Sequence, residues 1–322
     1  MDLNKAIEIT QKLQSGIETV IKGRKDTIQL VLTALFADGH VLLEDYPGSG
    51  KTTLTKALGQ LISSPADDEI ASFRRVQFTP DLLPGDVLGV NIFEPKSGTF
   101  NFVKGPIFSH IVLADEINRT GPKVQAAFLE CMAEKQVTID NTTHPLNDLF
   151  FVVGTQNPLD MAGTYPLPLV QLDRFLLKIP MTYVDYDAEL DILTNYSNIE
   201  KSLTSLEAAC TRDEILEAQK IVRDIHIAPE IQEAIVKIVQ STRDNPILQF
   251  GASTRSALML QKALKSWALI MGRDHCTEDD LQYIAPHVLL HRLRFHGGAG
   301  EPKDALMNII APHMEELVRK SI

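Results

Sequence analysis

Residues 45–52, Asp45-Tyr46-Pro47-Gly48-Ser49-Gly50-Lys51-Thr52, carry the densest chemistry in this chain. They follow the apolar run Val41-Leu42-Leu43 and precede a helix-like stretch from Thr53 to Leu61. Strand, glycine-rich loop, Gly-Lys-Thr and helix make the context that a phosphate-binding loop requires. Tyr46, Pro47, Gly48, Ser49, Gly50, Lys51, Thr52 and Thr53 would line the phosphates, the loop's available backbone N–H groups wrapping them and the helix dipole pointing its positive end at them. Lys51 would lie along the β- and γ-oxygens, and the Thr52 hydroxyl would hold Mg²⁺. The expected cofactors are therefore ATP and Mg²⁺. Asp45 departs from the usual pattern, because it stands where the first glycine belongs. Asp enters left-handed backbone more readily than most residues, so the turn is expected to survive. Its charge is expected to weaken phosphate binding.

A second carboxylate-bearing segment fits the same chemistry. Ile111-Val112-Leu113-Ala114 reads as a buried strand, and it ends in Asp115-Glu116. Asp115 would order the Mg²⁺ shell and Glu116 would orient or deprotonate the attacking water. A third apolar run, Phe150-Phe151-Val152-Val153, leads into Gly154-Thr155-Gln156-Asn157-Pro158, where an amide could reach the γ-phosphate or its water. Leu172-Asp173-Arg174-Phe175 places an arginine just before a fourth strand, expected at Phe175–Ile179.

Unbroken Val/Leu/Ile/Phe runs of this kind suit strands covered on both faces, hence a parallel sheet in an α/β domain. Leu3, Ile7, Leu13, Ile17 and Val20 recur at near-helical spacing behind Asp2, a natural N-cap, and a second helix is expected over Lys25–Ala37. After Tyr183 the strand-like runs disappear, and helical patterns such as Ile231–Thr242 and Ser256–Met271 take over. The division expected is an α/β nucleotide-binding domain over 1–183 and a smaller all-α domain over 184–322. Two segments add to a minimal nucleotide-binding sheet: residues 87–103, turning at Lys96-Ser97-Gly98, and residues 136–149, with a polar tip at Asp140–His144. Both read as β-hairpins.

The 322 residues carry 31 Lys+Arg against 42 Asp+Glu, a formal charge of −11. A general nucleic-acid binder would show a basic excess or stripe, so no nucleic-acid partner is expected. No apolar run approaches membrane-spanning length, and Met1–Lys5 is charged. The three cysteines, Cys131, Cys210 and Cys276, are odd in number and far apart, which offers neither a disulfide framework nor zinc spacing. A reducing, cytoplasmic setting is expected. His287 and His291 are four apart but lack a neighbouring acid, so packing and hydrogen bonding are expected of them rather than a metal. Cys131 and Trp267 read as core, and Arg292-Leu293-Arg294 as a solvated face or subunit contact.

Several blocks together resemble the MoxR group of AAA+ ATPases. They are Gly39-His40-Val41-Leu42-Leu43-Glu44, Leu113-Ala114-Asp115-Glu116-Ile117-Asn118-Arg119, Thr155-Gln156-Asn157-Pro158, and above all Gly163-Thr164-Tyr165-Pro166-Leu167-Pro168 with Gln171-Leu172-Asp173-Arg174-Phe175. Gly251-Ala252-Ser253-Thr254-Arg255-Ser256 is similar to the group's second-sensor segment. The resemblance runs from about Val20 to Arg294. It implies an AAA+ P-loop fold with two hairpin inserts and a helical lid. By the same resemblance Asn157 is the first sensor, Arg174 an arginine finger reaching a neighbouring subunit, and Arg255 the second sensor, acting in its own subunit or across the interface. Arg119 is a further interface candidate. A homo-oligomeric ring, a hexamer by analogy with other AAA+ machines, is implied. So is a von Willebrand factor A domain partner, in maturing client proteins or inserting their metal cofactors. Three alternatives stand beside this: a magnesium-chelatase-like motor subunit, a nucleotide-binding scaffold that barely hydrolyses, and a helicase. The last is disfavoured because the second hairpin tip has no Lys or Arg to follow phosphates.

Overall fold

The computed structural model describes residues 1–45, 48–64, 70–157, 163–298 and 300–321. The chain opens with α1 (Leu3–Val20), capped by the Asp2 carboxylate on the Lys5 N–H at 2.8 Å, then α2 (Lys25–Phe36) and β1 (Val41–Asp45). Next come α3 (Lys51–Gln60), the two-residue β2 (Ile62–Ser63) and β3 (Ala71–Gln77). A short α4 (Pro84–Leu88) leads into the hairpin β4 (Gly89–Glu94) and β5 (Thr99–Lys104). Then follow β6 (Ser109–Asp115), α5 (Pro122–Glu134), the hairpin β7 (Gln136–Ile139) and β8 (Thr142–Pro145), and β9 (Phe151–Gln156). A helical turn, α6 (Leu169–Leu172), precedes β10 (Leu177–Met181).

These strands form a five-stranded sheet in the order β10-β1-β9-β6-β3, every neighbouring pair parallel. Successive side chains of a strand point to opposite faces. Val41, Leu43, Ile111, Leu113, Phe151 and Val153 accordingly enter one core, and Leu42, Val112, Ala114 and Val152 enter the other. β6 is buried along its whole length, which explains the apolar run Ile111-Val112-Leu113-Ala114 within it. Edge strand β3 was not legible in the sequence, because exposed Arg74 and Arg75 interrupt its apolar pattern. β10 begins at Leu177 rather than Phe175. The Phe175 ring instead packs over Gly154, where even a Cβ would stand 2.8 Å from it.

The second half is mainly helical: α7 (Tyr186–Thr204), β11 (Cys210–Thr211), α8 (Arg212–Asp224), α9 (Pro229–Ser241), β12 (Leu248–Phe250), α10 (Thr254–Ile270), α11 (Glu278–Leu289), β13 (Arg294–Phe295) and α12 (Pro302–Ser321). Short strands thus persist past Tyr183: β11 pairs with β2, and β12 with β13. This half shares a core with the first-face helices. The Ser266 hydroxyl donates to the Thr33 carbonyl at 2.8 Å, and the Lys262 ammonium to that of Asp38 at 2.9 Å. Trp267 is core, stacked on Tyr283 at 4.8 Å. All three cysteines are buried, which pushes each thiol up to about 12 and leaves it unreactive. No helix among the described residues is long and apolar enough to cross a membrane.

The two hairpins lean on each other. Asn91 donates to the Asp140 carboxylate at 2.8 Å, and Phe102 stacks on His144 with 3.9 Å between ring centroids. At the outer end of the first, Phe93 and Phe100 pack 5.2 Å apart and stay half or more exposed.

His40 closes the junction between sheet and α5. Its Nδ1 accepts from the Val152 N–H at 3.1 Å, so the proton sits on Nε2, which donates to the Met132 carbonyl at 3.1 Å. Burial lowers its pKa from 6.5 to about 4. The unfolded chain therefore binds a proton below about pH 6.5 that the native state refuses until about pH 4. The stabilisation is complete above the upper value and is lost as the pH falls towards the lower one. About 3 kcal/mol should disappear across that window from His40 alone. Urea unfolding at ~pH 7 and ~pH 5 should show the lower midpoint at the acid value.

Candidate active site

In open parallel sheets, ligands bind beyond the carboxyl ends of the strands. Here β1, β6 and β9 end together at Asp45, Asp115 and Gln156, and Lys51 begins α3 beside them. Gly48 and Gly50 take the left-handed backbone, φ +86° and +89°, that the loop needs. Gly50 caps α3 without a side chain, so no side chain competes for the first-turn N–H groups. Ser49, Thr52 and Thr53 flank Lys51. Tyr46 and Pro47, both expected to contact phosphate, lie outside the described residues, as do the Asp45 side chain and Pro158.

A cavity of about 410 Å³ opens against Gly48, Ser49, Gly50 and Thr53. Its far wall is apolar, from Ile21, Met181, Ile192 and Tyr196. Main-chain donors at one end and an apolar slot at the other suit a nucleotide's phosphates and base. A larger cavity of about 810 Å³ lies beyond Lys22–Lys25, against Tyr283, His287 and Lys303. It touches no described phosphate-loop residue, so the smaller one is the nucleotide candidate.

Asp115 is 2 % exposed and ringed by donors. Arg75 Nη2 donates to Oδ2 at 2.6 Å, the Thr155 hydroxyl to Oδ1 at 2.8 Å, and Lys51 Nζ lies 3.5 Å from Oδ1. Burial raises its pKa, but the bonds from Arg75 and Thr155 and the charge of Lys51 outweigh it and hold the carboxyl below its ordinary value. An ionised Asp115 together with the hydroxyl of Thr52, the residue after Lys51, is the small oxygen set that Mg²⁺ takes from a protein when phosphates supply the rest. Such an ion would neutralise charge on the phosphates.

Glu116 adopts φ +56°, a left-handed backbone that costs a non-glycine residue strain. Its N–H donates to Thr155 Oγ1 at 2.9 Å, and its Oε2 accepts from Gln77 at 2.7 Å and lies 3.2 Å from Arg119 Nε. Thr155 thus orients both carboxylate residues at once. Thr155→Val keeps the shape and removes the hydroxyl, leaving the Glu116 N–H unpaired. We expect about 1–3 kcal/mol lost in thermal unfolding and about tenfold lower turnover.

Arg174 lies elsewhere. The Leu176 N–H donates to the His40 carbonyl at 2.7 Å, so the loop carrying Arg174 sits beside the start of β1, whereas the phosphate loop follows its end. Five residues of strand separate those ends by about 17 Å. Arg255 is on the same side, its Nε 3.3 Å from Asp173. Arg292, expected on a solvated face or at a subunit contact, is buried inside the subunit instead, and its Nε donates to Asp173 at 2.7 Å. His291 is likewise buried, Nε2 3.0 Å from the Phe175 carbonyl, and His287 Nδ1 faces that of Lys178 at 3.4 Å.

The AAA family of ATPases associated with various cellular activities matches residues 40–177, and the AAA lid domain matches 240–310. Chaperone MoxR1 of Mycobacterium tuberculosis is 33% identical over 92% of this chain and 77% of its own length. The chain belongs to the MoxR family of AAA+ ATPases. YeaC of Bacillus subtilis, an uncharacterised protein, is 44% identical over 99% of this chain and 96% of its own. A solved candidate ATPase from Cytophaga hutchinsonii superposes with a TM-score of 0.85 at 34% identity, covering 96% of both chains.

Within this MoxR site, the structure brings Lys51, Asp115 and Glu116 together and sets Asn157 directly after β9. The Gly163–Pro168 block gains a physical role. The Tyr165 N–H donates to the Asn118 carbonyl at 2.7 Å, and the Gln125 amide nitrogen reaches the Ile117, Thr120 and Tyr165 carbonyls at 3.3, 3.1 and 3.0 Å. The block therefore braces the turn after Glu116. Sequence reasoning missed Arg75, Gln77, Gln125, Asp173 and Arg292. Arg75 and Gln77 lie on β3, whose pattern gave no local signal, and Arg292 meets its partner from far along the chain.

Proposed function

We propose that this chain hydrolyses ATP to ADP and phosphate in a site that a second copy completes, and uses the cycle to remodel a client protein. The observation that carries this reading is the separation of Arg174 from Lys51 and Glu116 by the length of β1. An arginine at the opposite sheet edge cannot serve its own nucleotide but stands where a head-to-tail neighbour's nucleotide could meet it. Arg255 shares that edge through Asp173, so it too acts across the boundary. Head-to-tail contacts that close make rings, and a hexamer is the size proposed.

The protein groups then divide the work. Lys51 and the first-turn N–H groups of α3 bind phosphate, and Asp115 with Thr52 holds Mg²⁺. Asn157 aligns the water, Glu116 takes its proton, and Arg174 and Arg255 neutralise charge spreading over the transferred phosphoryl. The boundary near residue 183 separates the nucleotide-binding part from the lid. The exposed Phe93 and Phe100 suit contact with a protein client, and the chaperone name of MoxR1 supports that direction. A von Willebrand factor A domain partner, cofactor insertion and a cytoplasmic setting complete the proposal. Specific ATPase activity measured against protein concentration, with light scattering alongside, tests it. Activity that rises as assemblies form supports the reading, and activity already maximal in the monomer removes it.

A further inference from the structure

Asp173 stands one residue before Arg174 and holds two lid arginines in one carboxylate. Arg292 Nε donates to Oδ1 at 2.7 Å, while Arg255 Nε lies 3.3 Å from Oδ2. The two arginines differ in how far they are fixed. The Arg292 side chain is 2 % exposed, and its other N–H groups donate to the Phe175 carbonyl at 2.6 Å, the Leu176 carbonyl at 3.2 Å and the Val288 carbonyl. A planar fork satisfied at a carboxylate and three carbonyls has one permitted direction. The Arg255 side chain is 51 % exposed and meets Asp173 through Nε. One arginine anchors the carboxylate and the other is presented by it.

We infer that Asp173 is a positioning residue: anchored by the buried Arg292, it fixes the stance of Arg255 and of the loop carrying Arg174, so lid and finger loop meet a neighbouring nucleotide as one body. This rests on the reading that the site is completed by a second copy. The chain's own phosphate-loop cavity is lined by neither Asp173 nor Arg255, so Asp173 has no direct route to its own subunit's ATP. Loss of Asp173 should slow the chemistry in the adjacent subunit and leave nucleotide binding in its own subunit unchanged.

The test uses Asp173→Asn, the double variant Asp173→Asn/Arg292→Met, Arg174→Ala and Lys51→Ala. Asp173→Asn is expected to lower kcat at least about tenfold, with KM and the affinity for a non-hydrolysable ATP analogue within about twofold. Alone it leaves a buried guanidinium without its carboxylate, which can unfold the chain. The double variant removes both charges, restores stability, and is expected to stay as slow. Mixing then separates the two readings. A Lys51→Ala subunit carries an intact Asp173, and an Asp173→Asn subunit an intact Lys51, so the mixture should regain turnover that neither has alone. If Arg174→Ala regains turnover with Lys51→Ala but the Asp173 variants do not, Asp173 serves its own subunit and the inference falls while the completed-site reading stands. If no mixture regains turnover, both fall. A double variant as fast as the unaltered protein shows that Asp173 only packs, and also overturns the inference.

Discussion

Glu116→Gln is expected to lower the turnover number for ATP by about 100- to 1,000-fold while ATP stays bound. The amide keeps the side chain's shape and its two donors, Gln77 and Arg119, still have an oxygen to meet. It cannot accept a proton from water. In the proposed site, binding rests on Lys51, the loop N–H groups and Asp115, none of which the change touches. The result should therefore appear in kcat, with the affinity for ATP unchanged or tighter because the bound nucleotide persists. Rapid-quench turnover and equilibrium binding of a labelled nucleotide check it. Turnover equal to the unaltered protein's would remove Glu116 from the chemistry and revive the scaffold reading.

Arg174→Ala is expected to cost more, about 1,000-fold in turnover, as when an arginine that reaches across to a transferring phosphoryl is lost. Arg174 is half-buried and its side chain pairs with no described residue, so its removal breaks no ion pair among the described residues. Unfolding temperature should hold within a degree or two. The loss should also depend on assembly: a dilute sample, already slow, changes little, whereas a concentrated one falls steeply. An equal loss at every concentration would place Arg174 in its own site, against the topology of β1 and β10.

The sheet and half of the site were open to sequence reading because they rest on local pattern. Gly-Lys-Thr between an apolar run and a helix, and Asp115-Glu116 at the end of another, are signals carried within a few residues. The hairpins were readable for the same reason, from Lys96-Ser97-Gly98 and Asp140-Asn141 between alternating residues. What stayed hidden depends on partners far along the chain. Arg75 meets Asp115 from 40 residues away, and Arg292 meets Asp173 from 119. Nothing near Arg292 in sequence distinguishes a buried guanidinium from a solvated one. Edge strand β3 was lost because a strand with one open side need not be apolar, and Arg74 and Arg75 use that freedom.

The double tie between the hairpins limits how they can move. A hinge that opened them like jaws would break the Phe102–His144 stack and the Asn91–Asp140 bond together. A tilt that carries both leaves the two contacts intact and costs far less. Whatever displaces the sheet therefore reaches both tips in the same direction, and the pair delivers a thrust rather than a grip.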